Sequence, residues 1–217
     1  MDETDGRTRR AQESREARRA AILDASAAVF AEHGYHKTSI TELVSAAGVA
    51  RGTFYLYFES KEEIFLAILD DLLRDLRGNV VGVDLRPGAA PMVAQLGDIV
   101  VRILRALVEN RPLTRIIFRE AVALDAAVDA RLASFYAELH GWLARSLEVG
   151  CALGAVRPLD TALAATCILG CFRGVVQSLI VESDGPLDIE AVADGVLGFA
   201  LYGVSTRSPP VPLVTPG

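Results

Sequence analysis

The sequence predicts an all-α protein: a small N-terminal domain of three helices, joined by a connecting helix to a larger helical domain. Three observations carry this. Ala, Leu, Glu and Arg dominate the 217 residues, while Val and Ile never settle into polar–apolar alternation bounded by hairpin turns. Apolar residues recur instead at intervals of three and four, and serine-led capping sequences and glycines punctuate the first seventy residues. With 51% hydrophobic residues the chain buries a substantial core.

The first fourteen residues are polar and are expected to form a flexible basic arm. Ile22, Ser26, Val29, Phe30 and His33 then share one helical face, and Gly34 stops that helix. Ser39-Ile-Thr-Glu42 is a capping box, in which the serine hydroxyl and the glutamate each satisfy a backbone N–H. It opens a second helix with the stripe Ile40, Leu43, Val44 and Ala47, ending at Gly48. The next helical stretch begins so soon that the two helices must cross steeply, the form of a helix-turn-helix.

That stretch, AGVARGTFYLYFESKEEIF, divides by angle. At 100° per residue Phe54 and Phe58, with Ala50 and Tyr57 nearby, form an inward stripe against Phe30, Ile40 and Val44. Gly52, Thr53 and Leu56 lie opposite, with Arg51 and Tyr55 at the margin. Tyr55 and Tyr57 can offer hydroxyls to a phosphate backbone, and Gly52 lets another surface approach closely. Ser60-Lys-Glu-Glu63 is a second capping box, starting a fourth helix with the stripe Ile64, Phe65, Ile68, Leu69, Leu72 and Leu76. Gly, Pro and Val interrupt the pattern over 78–91. Further helices are expected at about 90–109, 112–123, 128–150, 160–182 and 188–204, with Pro112 at a first helical position and Asp160 and Asp188 as caps. The proline-rich end cannot continue a helix. The expected division is an arm at 1–14, a helix-turn-helix domain at 15–62, a helical domain at 63–204 and a flexible tail at 205–217.

The net charge of −6 argues against a generic polyanion binder, but the charge is uneven. From Arg7 to Lys61 nine Arg and Lys face six acids, whereas from Glu62 onward thirteen face nineteen. Three cysteines without a paired spacing fit a reduced, cytoplasmic setting, and the charged N-terminus is not a secretory signal. The apolar run from Thr161 to Val181 holds Arg173 and Gln177, so no membrane partner is expected. No Glu-x-x-His pair, phosphate loop or Gly-x-Ser-x-Gly turn is present, which argues against an enzyme and against a metal or other cofactor.

Ala21-Ile-Leu-Asp-Ala through Phe30, Gly34-Tyr35, Thr38-Ser39 and Ala47-Gly-Val-Ala-Arg-Gly-Thr-Phe-Tyr-Leu-Tyr-Phe-Glu-Ser-Lys-Glu-Glu together resemble the tetracycline-repressor (TetR) family of bacterial transcription regulators. The resemblance covers Arg15 to Leu69; beyond it helix order and Gly154-Ala-Val-Arg-Pro are similar. It implies a helix-turn-helix DNA-binding domain and a C-terminal ligand-binding and dimerisation domain. It also implies a homodimer that represses transcription on a palindromic double-stranded operator and is released by a small-molecule effector. Carried over by position, the DNA contacts are Ser39, Arg51, Gly52, Thr53, Tyr55, Tyr57 and Lys61. Ala50 departs from the serine frequent in the family, and Leu56 from a polar or aromatic residue. Physically, an arginine in the major groove pairs bidentately with guanine, and Lys61 adds its charge to a helix N-terminus that already attracts phosphate. Arg7, Arg9 and Arg10 either enter a minor groove, steer association or stay solvated.

A two-fold dimer needs a partner surface. Gly170 and Gly174 on one late helix, and Ala191, Gly195 and Gly198 on the last, permit close helix approach and are the expected interface of a four-helix bundle. For an effector the expected pocket residues are Phe118, Tyr136 and His140, with Arg119 and Glu120 beside the first and Trp142 pointing elsewhere. Cys167 and Cys171 are expected as small buried hydrophobes. The alternatives are a DNA-binding regulator without an effector and an all-helical enzyme, which a turnover assay separates.

Overall fold

The computed structural model describes residues 3–84, 86–120 and 126–204. The side chains of Arg7, Arg10, Arg119 and Glu120 and the expected tail at 205–217 lie outside the described residues. The described residues are helical, with no strand among them: α1 (Glu3–His33), α2 (Ile40–Ala46), α3 (Arg51–Tyr55), α4 (Lys61–Asn79), α5 (Met92–Glu109), α6 (Arg111–Glu120), α7 (Ala126–Ala152), α8 (Thr161–Val176) and α9 (Ile189–Val204).

Where an arm was expected over 1–14, α1 is already helical from Glu3. The stretch has no apolar stripe to announce a helix and includes Thr4, Asp5, Gly6 and Thr8, but its second half holds Arg9, Arg10, Ala11, Gln12 and Glu13, good helix formers, and is laced by one-turn pairs. Arg9 lies 3.5 Å from Glu13, and Gln12 donates to Glu16 at 2.7 Å. Each such pair is worth only about 0.2–0.5 kcal/mol, so they extend a helix nucleated by the buried Ile22, Leu23 and Phe30 rather than form one alone.

The chain forms two compact units, residues 1–74 with 112–129 and residues 75–111 with 130–217. The division falls inside α4 rather than at the expected 62/63 boundary. The apolar stripe of α4 runs from Ile64 through Leu76 without a break, so composition marks no border there.

In the first unit α1 packs on α2. Gly34 (φ 79°) ends α1 and Gly48 (φ 63°) makes the turn after α2, both in the left-handed region that glycine tolerates. The core is aromatic: the rings of Phe30 and Phe65 meet edge to face at 5.6 Å and Tyr35 packs on Phe65 at 4.9 Å, while Phe54 and Phe58 are fully buried. On α2 the residue that enters this core is Leu43, whereas Ile40 and Val44 are only half-buried. A seven-residue helix presents less than two turns, and the face that meets α1 is centred on its fourth residue.

In the second unit α9 packs against α5 and α8. Arg105 of α5 donates to Glu190 of α9 at 3.0 Å, and Leu197 lies 3.8 Å from where a Cβ on Gly97 would stand. Arg77 holds Glu138 in a two-pronged contact at 2.7 and 3.2 Å while its guanidinium covers Phe135, and this keeps the Glu138 carboxyl below its ordinary pKa. Asp160 caps α8 through the amide of Leu163, and Asp188 accepts from Ala191 at the start of α9, as expected of both. The expected single helix over 160–182 instead ends α8 at Val176 and continues as a π turn, Gln177–Val181, closed by Glu182 N–H to the Gln177 carbonyl. The wider turn carries Ile180 and Val181 into full burial.

Candidate nucleic-acid interface

The five residues of α3 and the three that follow sort by burial mainly as their angles predict, although Ala50, expected on the inward stripe, is exposed and Thr53, expected opposite, is half-buried. Phe54 (0% exposed) and Phe58 (1%) are the anchors. Arg51, Gly52, Tyr55 and Leu56 are exposed, Leu56 at 74%, and Thr53 and Tyr57 are half-buried. The Arg51 guanidinium lies 5.7 Å from the centre of the Tyr55 ring, so the two side chains lean together. A Cβ on Gly52 would meet nothing within 4 Å, so the space over that residue is open to a second surface. Ala50 stands at the N-cap in extended conformation with no side-chain hydrogen bond, leaving the first amides of α3 without a side-chain cap.

Two capping arrangements fix the flanks. Ser39 has the reciprocal box: its hydroxyl accepts from the Glu42 amide at 3.3 Å and the Glu42 carboxylate accepts from the Ser39 amide at 2.7 Å. The same carboxylate also accepts from the Ser39 hydroxyl at 2.7 Å, and these Ser39 bonds hold Glu42 below its ordinary pKa. The second box differs from expectation in one partner. Ser60 accepts from the Glu63 amide, but Glu63 reaches back to the amide of Glu59, one residue beyond the cap.

Lys61 is placed by contacts that sequence spacing does not reveal. Its ammonium donates to the carbonyls of Tyr35 and Thr38, both at 3.0 Å, and lies 4.4 Å from the centre of the Tyr35 ring. Two of the three N–H donors are therefore used inside the protein, and the third is what a phosphate could take. The lysine joins the start of α4 to the connection between α1 and α2.

Alongside the reader, Ser14, Arg15 and Arg18 of α1 with Leu56 and Tyr57 line an open cleft of about 450 Å³. The Arg15 guanidinium stands 6.0 Å from the centre of the Tyr57 ring, and Arg19 sits over Phe58 at 5.1 Å, so α1 is applied to the end of the reader. Sequence reasoning had counted these arginines only as local charge. Their spacing of three within a run of helix formers was the available signal.

Residues 22–68 match the family model described as bacterial regulatory proteins of the tetR family, and residues 89–204 match that of the tetracyclin repressor-like C-terminal domain. This chain belongs to the TetR family. It is accordingly a DNA-binding transcriptional regulator. Among curated TetR-family relatives, the fatty acid metabolism regulator protein of Bacillus subtilis is 25% identical over 86% of this chain and 95% of its own length. The transcriptional activator FasR of Mycolicibacterium smegmatis is 28% identical over 88% and 84%. Among solved structures, the SmeT–triclosan complex superposes with a TM-score of 0.71 at 25% identity, covering 93% of this chain and 98% of that one. The fatty acid degradation regulator FadR of Bacillus halodurans gives 0.67 at 26% identity over 86% and 95%.

In the body of this TetR-family chain, the small residues proposed for dimerisation lie on an uncovered face. Leu163 (60% exposed), Cys167, Gly170 and Gly174 repeat at helical spacing along α8 and are all exposed. On α9 Ala191, Gly195 and Phe199 (70% exposed) do the same, with Gly198 half-buried beside them. A Cβ at Gly170, Gly174 or Gly195 would meet nothing within 4 Å. Cys167, expected to be a buried hydrophobe, is thus an outward-facing residue, because α8 is apolar on more than one side and Ala165 and Val176 occupy the buried one, with Cys171 half-buried. Thr161–Val181 is also long and apolar enough to cross a membrane, with 22% of its apolar window buried.

The three residues expected to line an effector pocket fall in different units, Phe118 in the first and Tyr136 and His140 in the second. Phe118 and Tyr136 are half-buried. Arg173 lies 5.7 Å from the centre of the Tyr136 ring, and burial pushes the Tyr136 hydroxyl above its ordinary pKa. His140 Nε2 is 3.0 Å from the Ala162 carbonyl and 3.1 Å from Thr166 Oγ1. A carbonyl only accepts, which assigns the proton to Nε2 and makes His140 a tie between α7 and α8.

Proposed function

We propose that this chain is a homodimeric repressor that binds a palindromic double-stranded operator and leaves it when a small molecule binds the helical body. The observation that carries this is the split of the reader: Phe54 and Phe58 hold it from behind while Arg51, Gly52, Tyr55 and Leu56 are exposed and Thr53 is half-buried beside them. An α-helix of this width fits the major groove. There Arg51 pairs with a guanine, Thr53 and Leu56 offer methyl groups to thymine, and Tyr55 and Tyr57 bind backbone phosphates. The remaining N–H of Lys61 contributes a phosphate contact at one flank, and Ser39 contributes one at the other by turning its hydroxyl proton from the Glu42 carboxylate to the phosphate.

One reader this short covers few bases, so two are needed on a two-fold axis. The exposed α8 and α9 face supports a four-helix bundle with a second copy of the chain. Glycines at 170, 174 and 195 allow close approach, and Arg173 and Gln177 disfavour lipid on the same segment.

The effector reading is supported by the relatives' names: SmeT is seen with triclosan, and two relatives are named for fatty acid metabolism and degradation. An apolar small molecule contacting Tyr136 and His140 of the second unit shifts the population toward a form whose readers no longer match adjacent groove segments. Genomic footprinting of the purified protein with and without candidate effectors tests the proposal. Protected palindromes that disappear on adding an effector are expected; a protein that protects no duplex would refute it.

A further inference from the structure

The cleft beside the reader carries a second DNA contact. Ser14, Arg15 and Arg18 are exposed, Ser14 and Arg15 each about one turn before Arg18 on α1, and with Leu56 and Tyr57 they line an open volume of about 450 Å³. Its polar groups are donors: two guanidinium groups, the Ser14 hydroxyl and the Tyr57 hydroxyl. Between Arg9 and Arg19 five arginines stand against two glutamates. Both glutamates are already engaged, Glu13 by Arg9 and Glu16 by Gln12. Among the described residues no ion pair joins Arg15 or Arg18 to a carboxylate.

A surplus of fixed positive charge whose neighbouring carboxylates are already engaged attracts an external anion. An organic effector would bury most of its surface in an enclosed apolar site, whereas this cleft is open and lined by cations and hydroxyls. Arginine, serine and tyrosine are the donor types that grip DNA phosphates, and such contacts set the register of a reader rather than its sequence preference. Tyr57 and Leu56 directly follow α3, so an anion held here lies at the end of the helix proposed to enter the groove.

We propose that this cleft seats a backbone phosphate of the duplex flanking the bases faced by α3, with Arg15 and Arg18 as the gripping cations and Ser14 and Tyr57 as hydroxyl donors. The inference rests on the proposed DNA reading and adds α1 to the interface. The Arg19 guanidinium over the buried Phe58 ring keeps α1 applied to the reader, so the phosphate grip and the groove contact act as one body.

The test is fluorescence anisotropy of the full-length protein on two probes, the footprinted operator and a mixed-sequence duplex, between about 50 and 200 mM salt. The Arg15→Ala/Arg18→Ala double variant is expected to lose affinity equally on both probes. Its log K against log salt should flatten by about 0.9 for each phosphate released, roughly 2 for a dimer that loses one per subunit. Both residues are exposed, so the melting temperature should hold, and the double lysine variant should restore the slope. A double variant with the wild-type slope, or one weakened on the operator alone, overturns the proposal while leaving the reader intact. A thermal shift with inorganic phosphate that vanishes in the double variant, with the duplex slope unchanged, assigns the cleft to a free anion and also overturns it. Wild-type protein that binds neither duplex overturns the DNA reading itself.

Discussion

Replacing Lys61 with alanine separates what this lysine does for the protein from what it does for DNA. The substitution deletes two charge-assisted hydrogen bonds of 3.0 Å, to the Tyr35 and Thr38 carbonyls, and the ammonium over the Tyr35 ring. Hydrogen bonds to charged groups contribute about 1.5–3 kcal/mol each, but the site is only partly buried and water can replace the ammonium, so about 2–3 kcal/mol in total is expected. For a chain of this size that lowers the melting temperature by roughly 5–10 °C. The assay is thermal unfolding followed by circular dichroism, with Lys61→Met as a second variant that keeps the aliphatic stem. Operator binding of the folded variant should also show a salt slope about 0.9 shallower per subunit, from the one remaining N–H. A melting temperature unchanged in both variants would refute the structural tie, whatever happens to the slope.

Arg51→Ala should relax discrimination at one base pair per half-site by about 1–3 kcal/mol while leaving stability alone, since the side chain is exposed; competition between operators varied at each position measures it. Gly174→Arg should give folded monomers with weakened operator binding, because a side chain there has open space within one chain but none in a close helix pair; light scattering that still finds dimers would contradict this. The Glu42 carboxyl has a lowered pKa in the folded state, so the stabilisation it brings is present above its ordinary value of 4.5 and is lost as pH falls through the lowered one. Ser39→Ala keeps the backbone N–H that is the larger cause of the shift but removes the hydroxyl that also donates to Glu42, so the variant should lose somewhat less stability than wild type in acid melts across that window; an identical acid profile would count against the hydroxyl's share of the linkage.

Much of the reader was legible in the sequence because it depends on local rules. A 100° turn per residue separates Phe54 and Phe58 from Gly52 and Leu56, and Gly34, Gly48 and Ser39 mark chain reversals and caps through their own backbone chemistry. Features made by distant partners were not legible. The acceptors of Lys61 lie 26 and 23 residues earlier, and Ala162, which faces His140, lies 22 residues later. The early start of α1 escaped for a different reason: a helix with no apolar stripe has no periodicity, and its charge pairs look like those of a solvated coil. The π turn at Gln177–Val181 arises from how Ile180 and Val181 reach the core, which residue spacing along α8 does not encode.

The central claim is that the outward face of α3 enters the major groove in two copies related by a two-fold axis. Hydroxyl-radical footprinting of the wild-type dimer on its operator tests it most directly. The account predicts two symmetric protected segments centred about one helical turn, 34–36 Å, apart, both lost in an Arg51→Ala/Tyr55→Ala variant that still folds and dimerises. Protection that survives intact in that variant would contradict it.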